Sequence, residues 1–397
     1  CPGKAGAKAL EMIPFEDVNH DNGSQYLLDD VSVKTEQVKP TIKNSQFEKP
    51  LFEYHGACAG CGETPYLRLL TQLFGSNMVI ANATGCSSIY GASMPSMPYS
   101  VPWASSLFED NAEYGYGMMI ATNTMRNRIK NIMNENINNA DNQTKGLFNK
   151  WLENYDDYNI TKEVYDNLDY EKVPYLKDIK EYLPTRSTWI IGGDGWAYDI
   201  GFGGVDHILS SNDNVNILVL DTQVYSNTGG QSSKASEKGS IAKFATSGKK
   251  TVKKDLARMA MTYPNVYVAQ ISMGANMNQT LKAFVEAEKH DGPSIIIAYS
   301  TCINHGIKKG MEFSIEQQKK ATTCGYFPIF RYKPDDKKLY LDYKEPNFDL
   351  YFDFLSSESR FAMLKLLNED KANQLFEEAK SEAEARFKYY KDLSEKE

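Results

Sequence analysis

Between residues 187 and 299 four short apolar runs, Ser187–Ile191, Val215–Leu220, Val266–Ser272 and Ser294–Tyr299, are separated by stretches of helix length. These stretches predict helices near Asp199–Ser210, Lys253–Thr262 and Asn278–Lys289. Runs of five to seven β-branched and aliphatic residues, spaced by helical segments, are the pattern of parallel strands buried on both faces. Parallel neighbours need a crossover, and a helix packed on the sheet supplies it. The pattern therefore predicts an α/β fold with a doubly wound, mostly parallel sheet and helical additions. At 397 residues and 41% apolar content, the chain has enough material for such a core.

In an open parallel sheet, ligands collect beyond the carboxyl ends of the strands. Three such ends are unusual here. Gly192-Gly193-Asp194-Gly195-Trp196 follows the first run, Asp221 to Gly230 the second, and Ser300-Thr301-Cys302 the last. Glycines flanking Asp194 let backbone approach a diphosphate, and a carboxylate is a hard oxygen ligand suited to Mg²⁺. Asp194 and Thr222 stand 28 positions apart (222 − 194), one strand–helix–strand step, which brings both to one rim. Asp194, the Thr222 hydroxyl and the Val224 carbonyl form a candidate Mg²⁺ set, and Asn227 with the following glycines is expected to hydrogen-bond a cofactor. Either segment alone is as well explained by an ordinary turn or flexible loop; on successive strands they favour a cofactor site.

Six cysteines, at 1, 58, 61, 86, 302 and 324, are too few for a disulfide scaffold in a chain of this length. Cys58-Ala59-Gly60-Cys61 can embrace a metal centre, Cys86 follows Ala83-Thr84-Gly85, and Cys302 lies on the rim just described. Four thiolates suit a [4Fe–4S] cluster beside the diphosphate site. Structural zinc, a redox dithiol and buried apolar thiols are the competing readings. Cys324 has no partner motif and reads as a core or surface thiol. Cys1-Pro2 resembles the end of a ferredoxin-type ligand run, so residues 1–14 are expected to be the tail of a ferredoxin-like domain and 15–50 a linker. The chain is then expected to hold a cofactor- and cluster-binding domain over 51–330, loop-rich as far as about residue 117, and a helical extension over 331–397. The Asn- and Lys-rich stretch from Met118 to Lys180 reads as a helical surface excursion of structural role.

A net charge of −8 argues against nucleic acid or an anionic membrane as partner. No apolar run reaches the ~20 residues of a membrane-spanning helix.

Longer motifs carry a family resemblance. Gly56-Ala57-Cys58-Ala59-Gly60-Cys61-Gly62-Glu63-Thr64-Pro65-Tyr66, Ile80 to Tyr90, Gly192 to Gly201 and Tyr225-Ser226-Asn227-Thr228-Gly229-Gly230-Gln231-Ser232-Ser233-Lys234 resemble pyruvate:ferredoxin (flavodoxin) oxidoreductases from Leu51 to the C-terminal helices. The resemblance implies thiamine diphosphate, Mg²⁺ held by Asp194, Thr222 and Val224, and a [4Fe–4S] cluster on Cys58, Cys61, Cys86 and Cys302. It also implies cofactor contacts from Glu63, the loop around Cys86, Gly193, Asp194, Gly195 and Trp196, and from Thr222, Gln223, Val224, Tyr225, Ser226 and Asn227, with Asn227 nearest the reacting centre.

The implied activity is oxidative decarboxylation of pyruvate to acetyl-CoA and CO₂, with single electrons passing to ferredoxin or flavodoxin in a homodimer. A pyruvate:NADP⁺ oxidoreductase with a fused reductase is the nearest alternative. A non-redox thiamine-dependent lyase with structural zinc and a non-catalytic assembly domain lie further off. In the family, groups that bind the 2-oxoacid carboxylate, activate the thiamine pyrimidine and contact coenzyme A lie outside this region, so the chain alone is expected not to turn over pyruvate. The short passage from Met97-Pro98-Tyr99 to Val101-Pro102-Trp103 departs from the usual spacing. Reduced thiols favour the cytoplasm or an anaerobic organelle.

Overall fold

The computed structural model describes residues 41–92 and 97–395, together with Gly3–Lys4, Ala7–Lys8 and Pro14. The assignments made for Cys1 and for most of residues 1–40 lie outside the described residues. An eight-stranded sheet organises the chain. Its strands are β1 (Met78–Ala83), β2 (Trp103–Ser106), β3 (Ser187–Gly193), β4 (Val215–Asp221), β5 (Tyr267–Ile271), β6 (Pro293–Tyr299), β7 (Phe330–Lys333) and β8 (Lys338–Leu341), in spatial order β8-β7-β5-β6-β4-β3-β1-β2. The strands from β5 to β2 in that order are all parallel, and β7 and β8 add an antiparallel hairpin at one edge.

The four strands expected from the apolar runs are thus present. The loop-rich reading of residues 51–117 needs correction, since this segment contributes β1, β2 and the helix Thr64–Phe74. The helical extension assigned to 331–397 is corrected likewise, because β7 and β8 carry the sheet past residue 330. These strands escaped notice because four to six residues flanked by Gly, Pro and polar turns give little periodicity.

Side-chain alternation divides the sheet between two cores. On β6, Ile295, Ile297 and Tyr299 face one core and Ile296 and Ala298 the other. The first core is closed by the helix Phe202–Ser210 and by the C-terminal helices, through Leu364, Phe376 and Ala379. The second is closed by Thr64–Phe74 and Met277–Lys289, through Leu67, Leu70, Ala283 and Phe284. Burying each large aliphatic side chain here contributes about 1.5–3 kcal/mol, which explains why central strands carry almost no polar residues.

The excursion after β2 begins at Asn111 rather than Met118 and has a core of its own, Ile129, Met133, Phe148, Trp151, Val164 and Leu176. Arg126 is buried beside it, donating to the carbonyls of Tyr155, Tyr182 and Leu183. The excursion is therefore a packed helical layer with a fixed attachment.

β1 and β3 are neighbours, but the chain leaves β1 toward β2 and leaves β3 toward β4. Their outgoing loops diverge and leave a crevice at the carboxyl edge, where a ligand can be enclosed without disturbing the ladder.

Candidate functional site

The residue after β3 is Asp194, and the backbone then enters a π-helical turn, Gly195–Ile200, ahead of the expected helix. Close approach requires the glycines just before and at the start of this turn. A Cβ on Gly192 would lie 2.5 Å from the Trp196 ring, and one on Gly195 would lie 2.6 Å from the Tyr225 ring. Gly195 thus serves ring packing, whereas Gly193 meets only the Leu220 carbonyl at 3.9 Å and opens toward the crevice.

Asp194 is buried, and its carboxylate is met on both sides. Oδ1 accepts from the Thr222 hydroxyl at 2.9 Å and Oδ2 from the Ser233 hydroxyl at 2.5 Å. The Thr222 hydroxyl also lies 3.1 Å from the Val224 carbonyl oxygen. Asp194, Thr222 and Val224 therefore present three oxygens of the predicted set to one another, as the spacing implied. Burial, then the neighbouring Asp221 carboxylate, raises the Asp194 carboxyl. Asp221 is compensated by Lys253 at 2.7 Å. A hard divalent cation at the three oxygens suits this donor set and would offset the buried charge of Asp194.

The loop from Thr222 turns through Gln223 at φ +61°, a left-handed conformation that non-glycine residues rarely adopt. Its amide N–H donates to Asp221 Oδ1, its carbonyl accepts from Ser236, and its Oε1 accepts from the Tyr326 hydroxyl at 2.6 Å. Gln223 was expected to touch the cofactor. Its side chain bonds Tyr326 and lies outside the walls of both cavities of the site.

A cavity of about 140 Å³ occupies the crevice. Its walls come from the loop after β1 (Thr84 to Ser87), from Phe108, from Gly193 to Trp196 and from Val224 to Thr228, with Glu63 at one side. A second cavity, of about 150 Å³, adjoins it and is lined by Cys58, Cys61, Cys86 and Cys302. Glu63, Cys86, Ser226 and Asn227 belong to both walls. Cys86 Sγ lies 3.5 Å from Ser226 Oγ and 4.0 Å from Asn227 Oδ1.

The cysteine loops meet through backbone. Gly62 N–H donates to the Thr301 carbonyl at 2.9 Å, and a Cβ on Gly62 would fall 2.3 Å from Thr301 N. Gly60, at φ +72°, is pressed as closely on the Met311 carbonyl. Burial, reinforced by Glu63, pushes the Cys61 and Cys86 thiols up to about 12, and burial pushes Cys302 up to about 11. Thiolates here need cationic compensation.

No three described His, Cys, Asp or Glu side chains converge closely enough to ligate one ion. Single-ion zinc sites draw all their sulfurs to about 2.3 Å from one point, whereas a multi-iron cluster takes each thiolate at a separate iron. Four cysteines line the second cavity. Cys324 stands apart, buried in the first core with its thiol on the Ala321 carbonyl.

Burial also pushes the Glu63 carboxyl up to about 7, although the Tyr90 hydroxyl donates to it at 2.9 Å. Three supporting residues escaped the sequence reading: Ser233 on Asp194, Tyr90 on Glu63, and His305, which bonds the Thr222 carbonyl. Ser233 lies within a quoted motif and His305 three positions beyond Cys302, but neither spacing names its target.

Residues 176–298 match the family profile of the thiamine pyrophosphate enzyme C-terminal TPP-binding domain. Over its whole length the chain is 48% identical to pyruvate:ferredoxin oxidoreductase of Moorella thermoacetica, covering 36% of that protein. Over 90% of its length it is 50% identical to pyruvate-flavodoxin oxidoreductase of Klebsiella pneumoniae, covering 32%. The chain is a homologue of part of these oxidoreductases. It spans about a third of their length. Similarity extends to the mitochondrial pyruvate dehydrogenase [NADP(+)] of Euglena gracilis, at 44% identity over 89% of the chain and 21% of that protein. The matched region, 176–298, carries Asp194, Thr222, Val224 and Asn227. No helix among the described residues is long and apolar enough to cross a membrane.

Proposed function

We propose that this chain is the thiamine-diphosphate and iron–sulfur part of an enzyme that oxidatively decarboxylates pyruvate to acetyl-CoA and CO₂, passing single electrons to ferredoxin or flavodoxin. The observation that carries the reading is the shared wall. Glu63, Cys86, Ser226 and Asn227 separate a crevice that ends in three hard oxygen ligands from a cavity ringed by four thiols. A site that makes an electron-rich adduct beside a site that accepts electrons needs that adjacency.

Asp194, Thr222 and Val224 would hold Mg²⁺ and through it the diphosphate; Cys58, Cys61, Cys86 and Cys302 would hold a [4Fe–4S] cluster. When bound, thiamine diphosphate supplies carbanion chemistry at the 2-oxo carbon and the cluster supplies one-electron capacity. The chain's own residues orient and insulate. Trp196 and Phe108 close the crevice with apolar surface, which strengthens electrostatic interactions inside it. The Asn227 amide, at the common wall, is placed to hydrogen-bond charge developing on the substrate. The Tyr90 hydroxyl fixes the Glu63 carboxyl between the two cavities.

Identity runs from 42% to 50% for the ferredoxin and flavodoxin enzymes and from 42% to 44% for the NADP⁺ enzymes, so ferredoxin or flavodoxin is the first reading and NADP⁺ the alternative. Pyruvate and coenzyme A would be recognised by residues outside this chain, in a homodimer. The test is iron, zinc and acid-labile sulfide per chain after anaerobic reconstitution, in the parent and in Cys302→Ala. About four irons and four sulfides, lost in the variant, are expected. One zinc without sulfide would overturn the redox assignment.

A further inference from the structure

His305 is completely buried, three residues after Cys302, on a short 3₁₀ turn. Its two ring nitrogens face two different loops. Nε2 lies 2.7 Å from the Thr222 carbonyl oxygen, and Nδ1 lies 3.5 Å from the Cys302 backbone nitrogen. A carbonyl only accepts and a backbone N–H only donates, so the geometry selects the tautomer with the proton on Nε2 and the lone pair on Nδ1. Burial, followed by the Arg360 guanidinium, holds the ring neutral, as this pattern requires.

Neighbouring side chains pack around the ring. It stacks on Tyr299 with centroids 6.3 Å apart. Glu358 Oε1 lies 4.0 Å from Nδ1 and is itself fixed by Gln317 at 2.9 Å, while Arg360 holds the other carboxylate oxygen at 2.7 Å. Arg360 also donates to the Tyr326 hydroxyl, which donates to Gln223. Arg360 thereby reaches Gln223 through Tyr326, while Glu358 lies beside the ring that bonds the adjacent residue, Thr222. Only His305 also reaches the cysteine loop.

We propose that His305 is a positioning residue that couples the two halves of the site, tying the Cys302 backbone to the Thr222 carbonyl so that occupation of the oxygen-ligand site and the electronic state of the thiol-ligated cluster influence each other. The inference rests on the functional reading above. The bond from His305 holds the Thr222 carbonyl, and so the backbone of the residue whose hydroxyl meets Asp194. Any shift of Thr222 on metal binding moves the ring, and with it the N–H of the residue whose sulfur binds iron. Outer contacts of this kind tune both ligand orientation and cluster potential. Linkage makes the effect reciprocal: if reduction of the cluster changes the affinity for Mg²⁺–thiamine diphosphate tenfold, binding shifts the one-electron potential by about 59 mV.

The experiment uses the complete oxidoreductase, anaerobic and loaded with iron and sulfide. Dissociation constants for thiamine diphosphate with Mg²⁺ are measured in the oxidised and reduced states, for the parent, His305→Leu and His305→Gln. The parent is expected to show a several-fold difference between states. His305→Leu fills the space without either bond; binding should weaken roughly tenfold and lose its dependence on redox state. His305→Gln, whose amide can restore the bond to Thr222, should recover affinity but only part of the dependence.

A leucine variant that keeps the parental redox dependence overturns the proposal, as does a parent that binds both groups without any dependence. If the leucine variant does not fold, full parental dependence in the glutamine variant overturns it. A parent that takes up neither group removes the functional reading, and this inference with it.

Discussion

Gly62→Ala tests how the two distant cysteine loops are held together. The added Cβ would meet Thr301 N at 2.3 Å, Thr301 Oγ1 at 2.6 Å and Thr301 O at 2.8 Å. Two of these are backbone atoms, which no rotamer change can move. Ordinary contact begins near 3.4 Å, so the strand-end loop carrying Cys302 and the loop carrying Cys61 must part by at least about 1 Å. Metal–ligand distances tolerate about 0.2 Å, so a displacement several times larger removes a ligand from its iron. The overpacking itself costs about 1–3 kcal/mol, which a domain of this size survives. The full-length protein carrying Gly62→Ala should therefore fold but, on the proposed cluster assignment, lose about four irons and four sulfides per chain relative to the parent, measured after anaerobic purification. Gly146→Ala is the control, since a Cβ there meets nothing within 4 Å in the helix Asn142–Glu153. Iron should be unchanged and stability higher by about 0.5–1 kcal/mol. Parental iron and an unchanged cluster spectrum in Gly62→Ala would refute the claim that Cys61 and Cys302 serve one cluster through this contact.

Cys324→Ala should leave iron content intact and cost about 1 kcal/mol in denaturant unfolding, because its thiol lies in the core away from the other four. Glu288, near the C-terminal end of its helix and accepting from the Trp189 indole at 2.9 Å, has its carboxyl pushed up to about 7 by burial. The folded state then binds more protons than the unfolded chain between the ordinary carboxyl range and about pH 7, so this group's contribution declines as pH rises through that window. Glu288→Gln should raise the melting temperature at pH 8, by an amount corresponding to at most about 3 kcal/mol, and leave it little changed at pH 4.5. Arg126→Met strands the three carbonyls that the guanidinium satisfies, and should destabilise the helical layer by about 2–4 kcal/mol. Hydrogen exchange should rise in Asn142–Glu153 and Tyr158–Asn167 ahead of the sheet.

Much of the site could be read before folding because its chemistry sits at strand ends. A strand fixes where its last residue emerges, so Asp194 after β3 and Thr222 after β4 were bound to share a rim once the strands were parallel neighbours. Ligand chemistry is likewise a property of residue type: carboxylate, hydroxyl and carbonyl suit a hard cation, and thiolates suit iron. Gln223 shows the limit. Its place within the loop suggests a cofactor contact, and nothing in that place shows that its side chain bonds Tyr326, 103 positions away.

From the sequence alone came the parallel α/β core, the candidate oxygen ligands and the four candidate thiols, because short-range pattern and side-chain chemistry are local. Folding decided which segments meet. The Gly62–Thr301 contact joins loops more than two hundred residues apart, the β1–β3 crevice depends on strand order, and His305 finds the Thr222 carbonyl 83 positions away. Such pairings are set by the packing of two buried cores and by backbone groups that must find partners once water is excluded, and neither requirement leaves a periodic mark on the chain.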